Sequence, residues 1–240
     1  MAAWKIILLF LAAFGGGISV FLFKGGNHKQ LKLVLSFSGA YLFAITVLHL
    51  IPDAYHGNDN YVGIFILIGF LFQIVLEQFS DGIEHGHIHA HVHAAGKSVF
   101  PIGIMVSLCL HAFLEGMPLA EGQQDQLVFG IALHHIPAAF ALGSVLLANH
   151  IKKNSVIFYI ILFAIMAPAG YFFSNALSSG GIGNLQQYFN RIMGVVIGIF
   201  LHISTTILFE SSEDHKFNMR KMIAVLLGVG IALLGFASHL

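Results

Sequence analysis

Two segments in the middle of the chain place histidine and glutamate inside long apolar stretches: SLCLHAFLEGMP at residues 107–118 and ALHHIPAAFALG at residues 132–143. They lie within the apolar runs Val99–Gly122 and Leu127–Ala148. Because about 20 mostly apolar residues are enough for an α-helix to cross a bilayer, both runs predict transmembrane helices. An ionisable side chain at that depth is costly, and it therefore indicates a functional site.

The composition of the whole chain also favours a membrane protein. Of its 240 residues, 57% are hydrophobic and only 9% are Asp, Glu, Lys or Arg, whereas charged residues make up about 25% of an ordinary soluble domain. The net formal charge is zero with histidine neutral, so nothing indicates nucleic-acid binding. The single cysteine, Cys109, excludes both an internal disulfide and a cysteine-based metal site. We expect no organic cofactor.

Six further apolar runs bring the number of predicted transmembrane helices to eight. They are Ile6–Phe23, Leu33–Ile51, Tyr61–Phe79, Val156–Leu177, Ile192–Phe209 and Met222–Ser238. The alternation typical of transmembrane β-strands is absent from these runs. The first run is interpreted as a retained span, because no small-residue cleavage motif clearly follows it. We predict an all-α integral membrane protein with a single transmembrane domain over residues 1–240.

The distribution of basic residues predicts the orientation of the chain. With eight spans, nine of the eleven Lys and Arg residues fall in loops on one side: Lys24, Lys29, Lys32, Lys97, Lys152, Lys153, Lys216, Arg220 and Lys221. Only Lys5 and Arg191 fall on the other side. Because positive charge is retained in the cytoplasm, we expect the His-rich loop 80–98 inside and both termini outside a plasma or inner cell membrane.

The polar residues of spans four and five have the chemistry of a metal site. His111 and Glu115 are four residues apart and share one helix face, and His134 follows on the next, antiparallel span. Imidazole and carboxylate together suit zinc, iron, manganese or cobalt better than calcium. The alternative is a hydrogen-bonded pair that joins two helices, but the convergence of several histidines with one glutamate favours a metal site. His135 is a fourth ligand or belongs to a remnant second site.

Other polar residues mark the ends of the predicted spans. His49 and Asp53 close span two, and span seven carries His202 and Glu210; these residues would line a metal path or lie at the membrane interface. Glu77 and Asp81 are expected at a solvated helix end. Alternating histidines in the loop after span three are typical of metal capture, with a pH sensor or an inert linker as alternatives. These histidines are His85, His87, His89, His91 and His93.

The ordered set of motifs resembles the ZIP family of zinc and iron transporters. The similar segments are HAFLEG at 111–116, HHIPAAFALG at 134–143, HLIPD at 49–53 and APAG at 167–170. The resemblance implies a 3+2+3 arrangement in which spans one to three and six to eight are inverted repeats. It implies a divalent metal ion as substrate, zinc first, with iron, manganese, cobalt and cadmium as alternatives. It also implies uptake by alternating access, for which we predict rocking of spans four and five against the flanking helices.

The chain departs from the family pattern at three positions. Where the family often has a polar residue, a glutamate and an acidic residue, this sequence has Ala112, Ala138 and Ala167. In relatives with two adjacent metal sites these positions largely supply the second one. The resemblance therefore implies one intramembrane ion here. Weaker binding with faster release, a preference for softer ions that bind imidazole, or a loss of transport would follow.

Two other functions compete with transport. An intramembrane zinc hydrolase would use three protein ligands and an activated water, but the sequence has no His-Glu-x-x-His motif and no separate acid near the site. A membrane sensor or storage protein would depend on the His-rich loop. We predict a transporter and no enzyme. Small residues in spans one and eight would allow close helix contact within the chain or in a homodimer.

Overall fold

The computed structural model describes residues 3–22, 28–56, 61–80, 82, 100–120, 125–179, 189–210 and 218–237, with residues 28–30 and 210 described by their backbone alone. Throughout these ranges the regular structure is helical. Eight helices are long and apolar enough to cross a membrane, which confirms the predicted all-α fold and the number of spans.

The helices are numbered in chain order, and the second span combines two of them. The bounds are α1 Ala3–Ile18, α2 His28–Ile45, α3 Ile51–Tyr55, α4 Val62–Ser80, α5 Ile102–Gly116, α6 Asp125–Ala148, α7 Lys153–Ser178, α8 Phe189–Glu210 and α9 Met219–Ala237. A π-helical segment, Thr46–Leu50, joins α2 to α3 just before Pro52. Proline lacks an N–H and its ring crowds the preceding turn, so the hydrogen-bond ladder is displaced there. A 3₁₀ turn, Met117–Ala120, similarly ends the fourth span around Pro118.

The surface of the helix assembly is strongly apolar. On α4, Leu67 is 59% exposed and Leu71 is 53% exposed, and on α9 Leu226 is 62% exposed and Leu234 is 74% exposed. Side chains of this kind would be unfavourable in water over so long a surface, whereas lipid tails solvate them well. The outer faces of α4 and α9 therefore fit a lipid environment.

The eight spans pack into two bundles of four, and both central spans belong to the first bundle. In the first bundle α1 packs against α6 and α7, and α7 packs against α5. In the second bundle α4 packs against α8, and α2 packs against α8 and α9. The central helices α5 and α6 touch each other at few positions, because each packs mainly against the first helix of one triplet. Each bundle therefore takes helices from both halves of the chain.

Equivalent crossings in the second bundle agree with the predicted inverted repeat. Where α4 crosses α8, Gly194 lies against Val62, and where α2 crosses α9, Gly228 lies against Tyr41. The repeat makes Tyr41 of α2 equivalent to Gly194 of α8, which is 153 residues later in the chain. It makes Val62 of α4 equivalent to Gly228 of α9, which is 166 residues later. The second and third spans therefore correspond to the seventh and eighth.

The same relation holds in the first bundle. Gly16 of α1 lies against Ile136 of α6, and Gly170 of α7 lies against Phe113 of α5. The first span therefore corresponds to the sixth, and α5 corresponds to α6 with a shift of 23 residues from Phe113 to Ile136. This shift relates positions within the two central helices.

Glycines make the closest approaches within the second bundle. A Cβ atom added at Gly198 of α8 would meet the carbonyl oxygen of Ile66, and one added at Gly69 of α4 would meet the carbonyl oxygen of Val195. Backbones can approach this closely only where a side chain is absent, as is common between membrane helices. The α4–α8 crossing therefore depends on glycine at both positions.

Contacts join the two bundles at both ends of the assembly. At the terminal end, where α1 begins and α9 ends, Lys5 forms an ion pair with Asp125, and the Tyr41 hydroxyl donates to the Gln126 carbonyl at 3.0 Å. These contacts join α1, α2 and α6. At the loop end, where α4 ends and α5 begins, the Ser107 hydroxyl donates to the Leu76 carbonyl at 2.9 Å, and Gly103 lies against Phe79. The seam between the bundles is therefore bridged at both ends.

Candidate metal site

Three of the predicted site residues converge inside the first bundle. His111 and Glu115 lie one turn apart on α5, His134 lies on α6, and each of these residues is 0% exposed. One potential ligand atom from each residue lies within 4.8 Å of the others. Within the described ranges, this is the one such group of three or more His, Cys, Asp or Glu residues.

The two histidines of this group occupy equivalent positions in the inverted repeat. His111 and His134 are 23 residues apart, which is the shift that relates α5 to α6. Their rings lie edge to face, with centroids 5.8 Å apart. The position in α6 equivalent to Glu115 is Ala138, so only α5 supplies a carboxylate here. The group therefore combines two imidazoles and one carboxylate.

The spacing within α5 fits two ligands of one ion. His111 Nε2 lies 3.3 Å from Glu115 Oε1. In a tetrahedral zinc site with ordinary Zn–N and Zn–O bond lengths, two ligand atoms lie about 3.4 Å apart. The two α5 side chains are thus already at the separation that a shared zinc ion requires.

His135 lies on the other side of the glutamate. Its Nε2 atom is 2.6 Å from Glu115 Oε2, and the residue is 1% exposed. The ring of Phe163 from α7 packs against it, with centroids 5.5 Å apart. The structure therefore brings His135 to the site through Glu115, outside the group of three that could share an ion.

The surroundings of the group are apolar and closely packed. Ala112, Ala138 and Ala167 are at most 1% exposed. Beside the site, α5 and α7 approach so closely that a Cβ added at Gly116 would meet the carbonyl oxygen of Ala167. Electrostatic interactions are strong in such an environment, and a buried carboxylate is costly without a cationic or hydrogen-bonding partner. The site is therefore suited to a cation.

The residues predicted to line a path are not members of this group. His49, in the π-helical segment, packs edge-on against Phe236 at a centroid distance of 5.2 Å, and Asp53 is exposed on α3. His202 lies on α8 and is 7% exposed. The side chain of Glu210 and the loop histidines lie outside the described residues, and so does Asp81.

Glu77, which was expected at a solvated helix end, is partly covered by α8. Its side chain is 19% exposed, and its Oε2 atom lies 3.4 Å from His202 Nε2. Gln73, one turn earlier on α4, is fully buried. The four-residue spacing of Gln73 and Glu77 was the available signal, because it places two polar side chains on one face of an apolar helix. The pair lies toward the loop end of the assembly.

Comparisons with known proteins give the same family as the motifs. The family model described as ZIP Zinc transporter matches residues 84–235, more than half of the chain. Zinc transporter ZIP1 of Bos taurus is 28% identical over 258 residues, which cover 88% of this chain and 79% of that protein. Zinc transporter ZIP1 of Homo sapiens is 27% identical over 263 residues, covering 88% of this chain and 81% of that protein.

A shorter similarity extends to a second group of relatives. Zinc transporter ZIP9 of Xenopus tropicalis is 30% identical over 123 residues, which cover 47% of this chain. The aligned part spans 40% of the length of that protein. The family match over more than half of the chain, together with the eight spans, shows that this protein belongs to the ZIP zinc transporter family.

Proposed function

We propose that this protein transports a divalent transition metal ion, zinc foremost, across a cell membrane. The observation that carries the proposal is the buried group of His111, Glu115 and His134 at the contact of two transmembrane helices. Ionisable groups are rarely placed so deep in a membrane protein without a role in binding or transport. The relatives ZIP1 and ZIP9 are named zinc transporters, which agrees with this substrate.

The charge of the site suits passage rather than permanent storage. A dication bound by two neutral imidazoles and Glu115 keeps one net positive charge in apolar surroundings. Transport requires binding strong enough for entry and weak enough for release. A site with one carboxylate meets the second requirement better than a site with two.

The packing supports movement of a whole bundle. All three candidate ligands lie on α5 and α6, which belong to the first bundle together with α1 and α7. We therefore propose alternating access in which the first bundle moves against the second and carries the ion. This moving unit is larger than the α5–α6 pair that the sequence suggested, because these two helices pack against α7 and α1 more than against each other.

The distribution of basic residues and the family resemblance support a direction of transport. With the loop end in the cytoplasm, as the basic residues predict, both termini would be outside. The resemblance implies uptake, so the loop histidines would capture the released ion.

Zinc flux into proteoliposomes tests the proposal. We expect radioactive zinc to enter vesicles containing the wild-type protein, and both His111→Ala and His134→Ala to lower the flux by at least about tenfold, since each removes one ligand. His150→Asn is the matched control: this exposed histidine lies in the turn after α6 with a φ of 57°, a conformation that asparagine tolerates. Wild-type flux equal to that of empty vesicles, with zinc still bound, would favour a hydrolase, a sensor or a storage protein.

A second set of variants tests whether the His202–Glu77 pair lies on the path. We expect His202→Ala and Glu77→Gln to slow zinc flux severalfold while leaving zinc affinity at the central site unchanged, because the pair lies on α8 and α4, outside the ligand group. Flux and equilibrium zinc binding are measured on the same preparations. A loss of zinc binding in either variant would instead assign the pair to the central site.

A further inference from the structure

Glu115 is held from both sides, and its two contacts differ in length. Its Oε1 atom lies 3.3 Å from His111 Nε2, whereas its Oε2 atom lies 2.6 Å from His135 Nε2. All three residues are almost completely buried, so water does not compete for these contacts. The carboxylate therefore has two distinct partners, one on each oxygen.

The shorter contact is too short to contain a metal ion. With metal–ligand bonds near 2.1 Å, two ligand atoms 2.6 Å apart would need an angle at the metal of about 77°, far from the tetrahedral value. A charge-assisted hydrogen bond, in contrast, commonly joins nitrogen and oxygen at about 2.7–2.9 Å. The His135–Glu115 contact therefore has the length of a hydrogen bond, and the His111–Glu115 contact has that of two ligands around one ion.

The inverted repeat also argues against a second ion beside His135. The positions equivalent to His135 and Glu115 are Ala112 and Ala138, both buried and both without a ligand atom in their side chains. Within the described ranges, no group of three or more His, Cys, Asp or Glu side chains includes His135, so a second ion there would have its imidazole and one oxygen of Glu115. Zinc sites in proteins supply three or four protein ligands, so this half of the site does not complete one.

We propose that His135 is a positioning residue and not a metal ligand. On this proposal, which rests on the proposed function, its Nε2–H group donates to Glu115 Oε2 and turns Oε1 toward His111 and His134. Phe163 packs against the His135 ring and helps to fix its orientation. The site then binds one divalent ion through two imidazoles and one carboxylate oxygen.

The proposal is tested by counting the imidazoles around bound zinc. The full chain is purified with His85, His87, His89, His91 and His93 each replaced by Ser, so that the loop does not contribute metal. X-ray absorption should then show one zinc ion with two imidazoles, both in this background and after His135→Ala. Zinc affinity should fall by about 10–100-fold in His135→Ala, the range typical when a hydrogen-bond partner of a metal ligand is lost.

Two further variants separate positioning from ligation. His135→Gln retains an N–H donor and should recover much of the affinity, whereas His134→Ala should leave zinc with one imidazole. One imidazole fewer in both His135→Ala and His135→Gln, or two zinc ions per chain in the background, would overturn the proposal. Either result would leave the proposed transport function intact, provided that the wild-type protein still moves zinc. Absence of zinc from the background variant would overturn the proposed function itself.

Discussion

Glu115→Gln should lower zinc flux by at least about 100-fold, which is the largest functional effect that we expect of any single substitution. Loss of a residue that only supports a metal ligand typically costs about 10–100-fold. The substitution keeps the size of the side chain but removes the one negative charge among the three candidate ligands. In apolar surroundings, that charge is the main electrostatic attraction for a dication. The measurement is initial zinc uptake into proteoliposomes, normalised to the amount of reconstituted protein.

The metal-free stability of the same variant provides the control. Glutamine keeps the shape of the side chain and an oxygen that can accept from His135, so Glu115→Gln should remain monodisperse on size-exclusion chromatography in detergent. Glu115→Asp retains the charge but withdraws the carboxylate by one methylene group, and it should show intermediate flux. Wild-type flux in Glu115→Gln would show that the buried group does not carry the ion.

Gly198→Ala should have the largest effect on folding. The added methyl group would overlap the backbone of α4, including the carbonyl oxygen of Ile66 and the amide nitrogen of Phe70. Because neither backbone atom can rotate away, α8 and α4 must separate along the most extensive helix contact of the fold. We expect a marked fall in melting temperature and in the monodisperse fraction on size-exclusion chromatography.

Gly230→Ala is the matched control for this prediction. It makes the same chemical change within α9, but a Cβ atom at Gly230 would meet nothing within 4 Å. Alanine is favoured over glycine in a helix by about 1 kcal/mol, so this variant should be as stable as the wild type or slightly more stable. Equal melting temperatures for the two variants would show that the α4–α8 crossing can adjust to a side chain.

Apolar runs and helix periodicity were sufficient to predict the spans and the convergence of the three candidate ligands. Eight runs of sufficient length specify eight helices, since each must satisfy its backbone hydrogen bonds within the membrane. The four-residue spacing of His111 and Glu115 and the short connection to His134 brought three side chains together before any packing was known.

Packing decided what the sequence left open. Helix geometry makes His134 and His135 point in different directions, but only the position of α5 determines that His135 meets Glu115 Oε2. Hydropathy likewise gave no sign that α5 and α6 would join different partners, or that Glu77 near the end of α4 would be covered by α8. These features depend on contacts between residues that are distant in the chain.

The interleaving of the two bundles has a consequence for how the protein is made. Helices α1, α5, α6 and α7 complete the first bundle, so Glu115 and its histidine partners can be enclosed before α8 leaves the ribosome. In contrast, α2 and α4 enter the membrane early but meet their partners α9 and α8 last. Until then, the glycine surface of α4 must face lipid or other helices. Assembly of the candidate metal site would thus precede completion of the second bundle.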